Sequence, residues 1–262
     1  MTELSRRAAA LRALHRPGEP LILPNAWDPG SARAVAAAGF PAVATSSAAV
    51  AESLGHADGE ATPVAEMFAA VARIAAAVPV PVTADLERGY ALRPAELVER
   101  LLTAGAVGCN IEDSDPRTGA LHDVEEQADL LAGIRAAAGA AGVDLVLNAR
   151  VDVHLRAYGP ASGRLAEAVR RARRYRAAGA DSVYPILLAD PAQIRDLVAE
   201  VDAPVNVMAR PGAPGPARPH RPSWPHSAWP GSASAPACAR PPAPAPPSCS
   251  PPSAPAATRS GS

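Results

Sequence analysis

The chain has 262 residues, 48% hydrophobic and only 3% aromatic, and a formal net charge of −1. Such a length suffices for one large α/β domain, with a core built from Ala, Val, Leu and Ile. The near-neutral balance offers no electrostatic footprint for nucleic acid or an anionic membrane, and no run is apolar enough to span a bilayer.

The opening segment, MTELSRRAAALRALH, lacks the unbroken apolar stretch of a signal peptide. Cys109, Cys238 and Cys249 form no metal or disulfide spacing, so a soluble protein of the reducing cytoplasm is expected. Apolar, β-favouring runs then recur near 21–25 (LILPN), 42–46 (AVATS), 80–85, 108–112, 144–150, 182–186 (SVYPI) and 204–208 (PVNVM). Between them lie Ala/Leu/Arg/Glu-rich stretches near 29–38, 63–77, 94–104, 123–140, 162–178 and 191–200. Pro63, Pro94 and Pro191 stand where first-turn prolines belong, and Gly39, Gly105 and Gly179 stand where left-handed caps belong. Strict β–α alternation with apolar strands predicts a parallel sheet covered by helices. Seven units over this length fit a (β/α)8 TIM barrel, with the eighth βα unit apparently lost.

Composition divides the chain into a barrel domain, 1–210, and a tail, 211–262. The tail holds 16 of the 30 prolines and no Leu, Ile, Val, Phe, Tyr, Asp, Glu or Lys. It buries too little apolar surface to offset its chain entropy, so a disordered Pro/Ala/Ser-rich segment is expected in place of the eighth unit. Back-translated with mostly G/C third positions and read in a shifted frame, Ser223 to Ala239 becomes Leu-Ala-Ala-Leu-Gly-Val-Ala-Arg-Ile-Ser-Val-Gly-Ser-Gly-Leu-Cys. That is a helix end, a glycine cap and a β-strand, which points to a frameshift near 211–222 as the origin of the tail.

Three strand-like runs end abruptly in charge: VPVTADLERGY (80–90), VGCNIEDSD (107–115) and DLVLNARVD (144–152). They place Asp85 and Glu87, Glu112 with Asp113, and Arg150 with Asp152 at consecutive strand ends. Carboxylates repeated on neighbouring strands converge on one pole of a parallel barrel, where a divalent cation could hold them together.

The ordered strings PNAWDPGSA (24–32), TSSA (45–48), LGHADGE (54–60), TADLERGY (83–90), GCNIEDS (108–114), DVEEQ (123–127), NARVD (148–152) and GAD (179–181) resemble the phosphoenolpyruvate mutase/isocitrate lyase superfamily. The resemblance runs from about residue 5 to 210. It implies a (β/α)8 barrel, usually homo-oligomeric, holding Mg2+ (with Mn2+ as an alternative) and a small 2-oxo carboxylate or phosphonate at the C-terminal face. It further implies that a C–C or P–C bond beside a carboxylate is made or broken through a metal-stabilised enolate. By the same resemblance Asp85 is the principal metal carboxylate and also borders the substrate, while Glu87 and Glu112 hold the metal mainly through its waters. Asp58 is the gating-loop carboxylate and Arg150 binds the substrate's anionic end, these two being the catalytic candidates. Ser46, Ser47 and Ala48 present groups to the substrate carboxylate, Asn25 and Asp28 lie where the first strand meets the site, and Trp27 forms a packing wall.

The departures narrow the reaction. Glu87 and Arg88 replace an aspartate and a threonine of the mutase pattern, which lets Arg88 pair with an acid instead. The segment SDPRTGALHD (114–123) lacks the cysteine loop of isocitrate and methylisocitrate lyases and the mutase's Lys-Thr-Asn-type loop. VYPILL (183–188) lacks the glutamate or histidine of some members. A mutase-like, oxaloacetate-decarboxylase-like or hydrolase-like branch remains. Asp113 reads as structural, Cys109 as core, and Asp152 as either orienting Arg150 or capping the next loop. The alternative for the whole chain is a catalytically inactive truncated barrel with at most residual ligand binding.

Overall fold

The computed structural model describes residues 2–16 and 18–208 together with the backbone of 232–235. In chain order its first half comprises α1 (Glu3–Ala13), β1 (Leu21–Ala26), α2 (Pro29–Ala37), β2 (Val43–Thr45), α3 (Ser47–Leu54), α4 (Val64–Ala76), β3 (Val82–Asp85) and α5 (Pro94–Thr103). The second half comprises β4 (Gly108–Glu112), α6 (Val124–Ala140), β5 (Val146–Val151), α7 (Arg164–Ala177), β6 (Ser182–Pro185), α8 (Pro191–Glu200), β7 (Val207–Met208) and β8 (Ser232–Ala235).

Local chemistry explains the helix starts. Asp28 caps α2 through the Ser31 N–H while the Ser31 hydroxyl accepts the Asp28 N–H, a reciprocal capping box reinforced by Pro29. Asp190 caps α8 ahead of Pro191 by accepting the Ala192 and Gln193 N–H groups at 2.7 and 3.1 Å. On α4, Met67, Val71 and Ile74 recur at three-to-four spacing and are buried, so this helix lies with one apolar stripe against the sheet. α1 and α3 were not among the helices expected from the sequence. α3 is short and begins directly at the end of β2, so the sequence pattern merges the two.

All strand pairings are parallel, in the order β6-β5-β4-β3-β2-β1-β8-β7. The two ends of that order meet: the Val183 N–H donates to the Pro204 carbonyl at 3.0 Å, and the Asn206 N–H donates to the Val183 carbonyl at 2.8 Å. The sheet therefore closes into the expected parallel (β/α) barrel.

At the eighth position the tail itself supplies a short strand: Ser232–Ala235 runs from Leu21↔Ser232 to Pro24↔Ala235 beside β1 and pairs Val207 and Met208 of β7 on its other side. Strand addition uses peptide groups that almost any composition supplies, and two unpaired edges would otherwise face each other across the gap. The remaining tail, expected to be disordered, lies outside the described residues.

α1 closes the barrel's N-terminal pole. Leu11 is fully buried, and a Cβ at Gly108 would meet Leu11 Cδ2 at 2.9 Å, Thr83 Oγ1 at 2.8 Å and the Val146 carbonyl at 3.0 Å. Only glycine lets the helix approach that closely. Arg12 then reaches the strand starts, donating to Asp144 at 2.8 Å and the Leu145 carbonyl at 3.1 Å and pairing with Asp181. The opposite, C-terminal pole is left open, and the site lies there.

Candidate active site

A cavity of about 450 Å3 opens at the C-terminal ends of the strands. Ser46, Ser47, Ala48, Asp58, Asp85 and Arg150 all line it, as does Asn25. Six of the eight expected metal, substrate and catalytic residues are thus brought to one cavity. Glu87 and Glu112 are 2% and 4% exposed and are not part of its lining. Trp27 is partly buried against the core, and neither it nor Asp28 is part of the lining.

Asp85 ends β3, and its carboxylate is held on both sides. Oδ2 accepts the Ser47 N–H at 3.1 Å and the Ser47 hydroxyl at 2.8 Å, and Oδ1 accepts the Asn110 amide at 3.1 Å. The first turn of α3, where the substrate carboxylate was expected, thus already presents its Ser47 donors to an anion, the side chain of Asp85. Ser46 caps that helix through the Ala49 N–H at 3.4 Å.

Arg150, on β5, is 9% exposed and gives its Nε and Nη2 to Asp152 at 2.7 and 3.0 Å. Its guanidinium also pairs with Glu112 across the β4–β5 register. Burial alone would depress the Arg150 pKa, but the carboxylates of Asp152, Glu112 and Asp85 raise it well above its ordinary value. Burial pushes the Glu112 pKa up, aided by Asp152, Asp85 and Glu87 and opposed by Arg150. Of the two roles open to Asp152, the structure shows the orienting one. Its Oδ2 also accepts the Ser114 hydroxyl at 2.6 Å, and its N–H donates to Asp113 at 2.8 Å. Asp113 is structural, accepting Arg171 at 3.0 Å and the Tyr175 hydroxyl at 2.7 Å.

The loop that carries Asp58 is clasped to the loop after β3. Glu60 accepts the N–H groups of Arg88 and Tyr90 at 3.1 and 2.6 Å, while Glu87 accepts the Glu60 N–H at 2.6 Å and the Tyr90 hydroxyl at 2.7 Å. Glu60, Glu87, Tyr90 and Ala91 all adopt positive φ between 52° and 59°, a conformation that side chains tolerate poorly. Burial raises the Glu87 carboxyl to about 7, with Asp58 and Asp85 adding repulsion and its two donors opposing. Arg88 does pair with an acid, Glu126, at 3.1 Å.

Among the described residues no three His, Cys, Asp or Glu side chains form a ready metal cage. The donor set still suits Mg2+, which binds through one or two carboxylates and keeps several waters. Asp85 and Asp58 supply cavity-facing carboxylates, while Glu87 and Glu112, outside the lining, are raised by burial toward their neutral forms. Cys109 is the one cysteine among the described residues, fully buried in β4 with its thiol pushed to about 12 by burial, so it is a core residue. Among the lining residues that the sequence reading missed are Asn110, Asn148 and Ser182. The signal was present: each is a polar residue within a strand-like run, facing the cavity.

A closed parallel barrel with an acidic C-terminal pole defines a class of enzyme, and comparison with known proteins gives the family. The model of the phosphoenolpyruvate phosphomutase family matches residues 11–220. The chain belongs to that family, within the phosphoenolpyruvate mutase/isocitrate lyase superfamily, whose members are enzymes that include lyases and mutases. It is 36% identical over 202 residues to an uncharacterized protein of Mycobacterium tuberculosis, covering 76% of this chain and 73% of that one. A crystal structure of a phosphonomutase candidate from Burkholderia cenocepacia J2315 aligns with a TM-score of 0.79 and 44% identity, over 88% of this chain and 93% of that one. Phosphonopyruvate hydrolase, crystallised with oxalate and Mg2+, aligns with a TM-score of 0.68 and 26% identity, over 77% and 71% of the two chains.

Proposed function

We propose that this protein is a Mg2+-dependent enzyme that makes or breaks a C–C or P–C bond beside the carboxylate of a small 2-oxo acid. The observation that carries the reading is Asp85, a strand-end carboxylate facing the cavity and held there by Ser47 and Asn110. Asp85 would hold the ion, with Glu87 and Glu112 acting through its waters. Mg2+, when bound, supplies Lewis-acid stabilisation of the enolate charge that develops as the neighbouring bond breaks.

The chain's own residues do the rest. Arg150 places a permanent positive charge at the cavity wall, its orientation set by Asp152, and attracts the anionic end of the substrate. At the start of α3, Ser46 and Ala48 line the cavity beside the Ser47 donors that hold Asp85, and would take the substrate carboxylate. The loop bearing Asp58 borders the cavity, and its closure over substrate would exclude water from the reacting carbon. The segment after β4 holds no cysteine, and Cys109 is sealed in the core, so a thiol acid/base step has no candidate among the described residues.

A screen of oxaloacetate, phosphonopyruvate and methylisocitrate with Mg2+ tests the reading, using the wild type and Asp85→Ala. Turnover of one of them, abolished by EDTA and by Asp85→Ala, is expected. Turnover that survives Asp85→Ala removes the metal assignment, and no turnover of any favours the inactive-barrel alternative.

A further inference from the structure

Asp85, Asn110, Asn148 and Ser182 are consecutive cross-strand partners on β3, β4, β5 and β6. They therefore stand at one level of the barrel, and all four line the cavity. Their side chains are joined end to end. The Ser182 hydroxyl meets Asn148 Oδ1 at 2.7 Å, Asn148 Nδ2 meets Asn110 Oδ1 at 3.0 Å, and Asn110 Nδ2 meets Asp85 Oδ1 at 3.1 Å. Layers inside such barrels are ordinarily filled by Val, Ile and Leu, and a polar layer is unfavourable unless each group finds a partner.

We propose that Asn110, backed by Asn148 and Ser182, is the positioning residue of the site, and that this string of hydrogen bonds sets which way the Asp85 carboxylate faces. The inference rests on the reading that Asp85 binds the metal and borders the substrate. The string has only one workable polarity. An ionised carboxylate has no proton to give, so Asn110 must present its NH2 to Asp85 and its oxygen to Asn148. Asn148 must then donate with its own NH2, which leaves its oxygen facing Ser182, whose hydroxyl has to donate. Neither amide can flip without setting oxygen against oxygen. With Oδ1 held by this string and Oδ2 taking both Ser47 donors, the carboxylate cannot rotate, and the lone pair left on Oδ1 is the one free for the cavity.

Mg2+-dependent oxalate binding measured by calorimetry on the full chain tests this. Asn110→Leu, of similar size but without a donor, is expected to weaken oxalate binding about tenfold, the scale of losing an outer-shell partner. Ser182→Ala, two links away, is expected to weaken it about threefold. The decisive readout is the double variant: Asn110→Leu with Ser182→Ala should bind no worse than Asn110→Leu alone, because the string is already cut. Unchanged affinity in Asn110→Leu, or additive losses, overturns the proposal. Should Asn110→Leu fail to fold, the small Ser182→Ala change carries the test, and unchanged binding there overturns it. If the wild type binds neither Mg2+ nor oxalate, the proposed function fails, and the string is judged by side-chain amide proton exchange. Slow exchange at Asn110 and Asn148, accelerated by Ser182→Ala, supports it, and fast exchange in the wild type overturns it.

Discussion

Asp85 and Glu87 stand two residues apart but experience different surroundings. Asp85 faces the cavity with donors on both oxygens, so Asp85→Ala removes the proposed metal carboxylate and should lower turnover by more than about a hundredfold, beyond what outer-shell losses cost. Steady-state kinetics with varied Mg2+ checks this. Glu87 is buried, and its carboxyl is raised to about 7 from an ordinary 4.5. An acid raised on folding favours the folded state at low pH, and that advantage is lost as pH climbs from 4.5 to about 7. At about 1.4 kcal/mol per pH unit the ionised group costs the metal-free protein about 3 kcal/mol above pH 7. Glu87→Gln should therefore be more stable than the wild type at pH 8 by up to that amount, with the difference fading toward pH 4.5. Urea midpoints in EDTA at the two pH values measure it, and a pH-independent difference would contradict the assignment.

Between elements, two contacts hold the barrel in register. Arg171 of α7 reaches Asp113, just after β4, at 3.0 Å, with the Tyr175 hydroxyl on the same carboxylate and Glu167 on the guanidinium at 2.7 Å. Arg171 and Asp113 are 3% and 0% exposed, so Arg171→Met leaves a buried carboxylate without its cation and should destabilise the fold by about 3–5 kcal/mol. Because Asp113 also receives the Asp152 N–H, the same change should loosen Arg150 and raise KM for an anionic substrate. At the other pole, Gly108→Ala would press a methyl group against Leu11 and the Val146 carbonyl and should cost about 1–3 kcal/mol by lifting α1. Denaturant unfolding monitors both, and an unchanged midpoint in Gly108→Ala would show that α1 is not seated as described.

At the scale of the molecule, the barrel closes only because β8 stands between β1 and β7. Ending the chain after Met208 removes that strand and leaves two open edges, so the shortened chain should aggregate or melt at lower temperature than the full chain. Size-exclusion chromatography and thermal unfolding compare them, and identical behaviour would mean that β8 contributes nothing to closure. The β–α alternation, the proline helix starts and the strand-end acids were legible in the sequence because period, caps and charge are local properties. α3 was not, since an eight-residue helix that begins where a strand ends leaves no periodic trace of its own.

The sequence alone determined that the chain is a parallel barrel of this superfamily, and which acids and which arginine stand at its open pole. Strand ends are a matter of chain order, and parallel strands must all end on one side. Only the tertiary structure decided what each carboxylate faces. Asp85 turns to the cavity, Glu112 turns to Arg150, and Glu87 is tied to Glu60 and Tyr90 beneath a loop. Register likewise made neighbours of Asp85, Asn110, Asn148 and Ser182, residues up to 97 positions apart that no local pattern connects. Cross-strand pairing is set by packing and closure of the whole sheet, and orientation within a buried polar layer is set by which neighbours can donate.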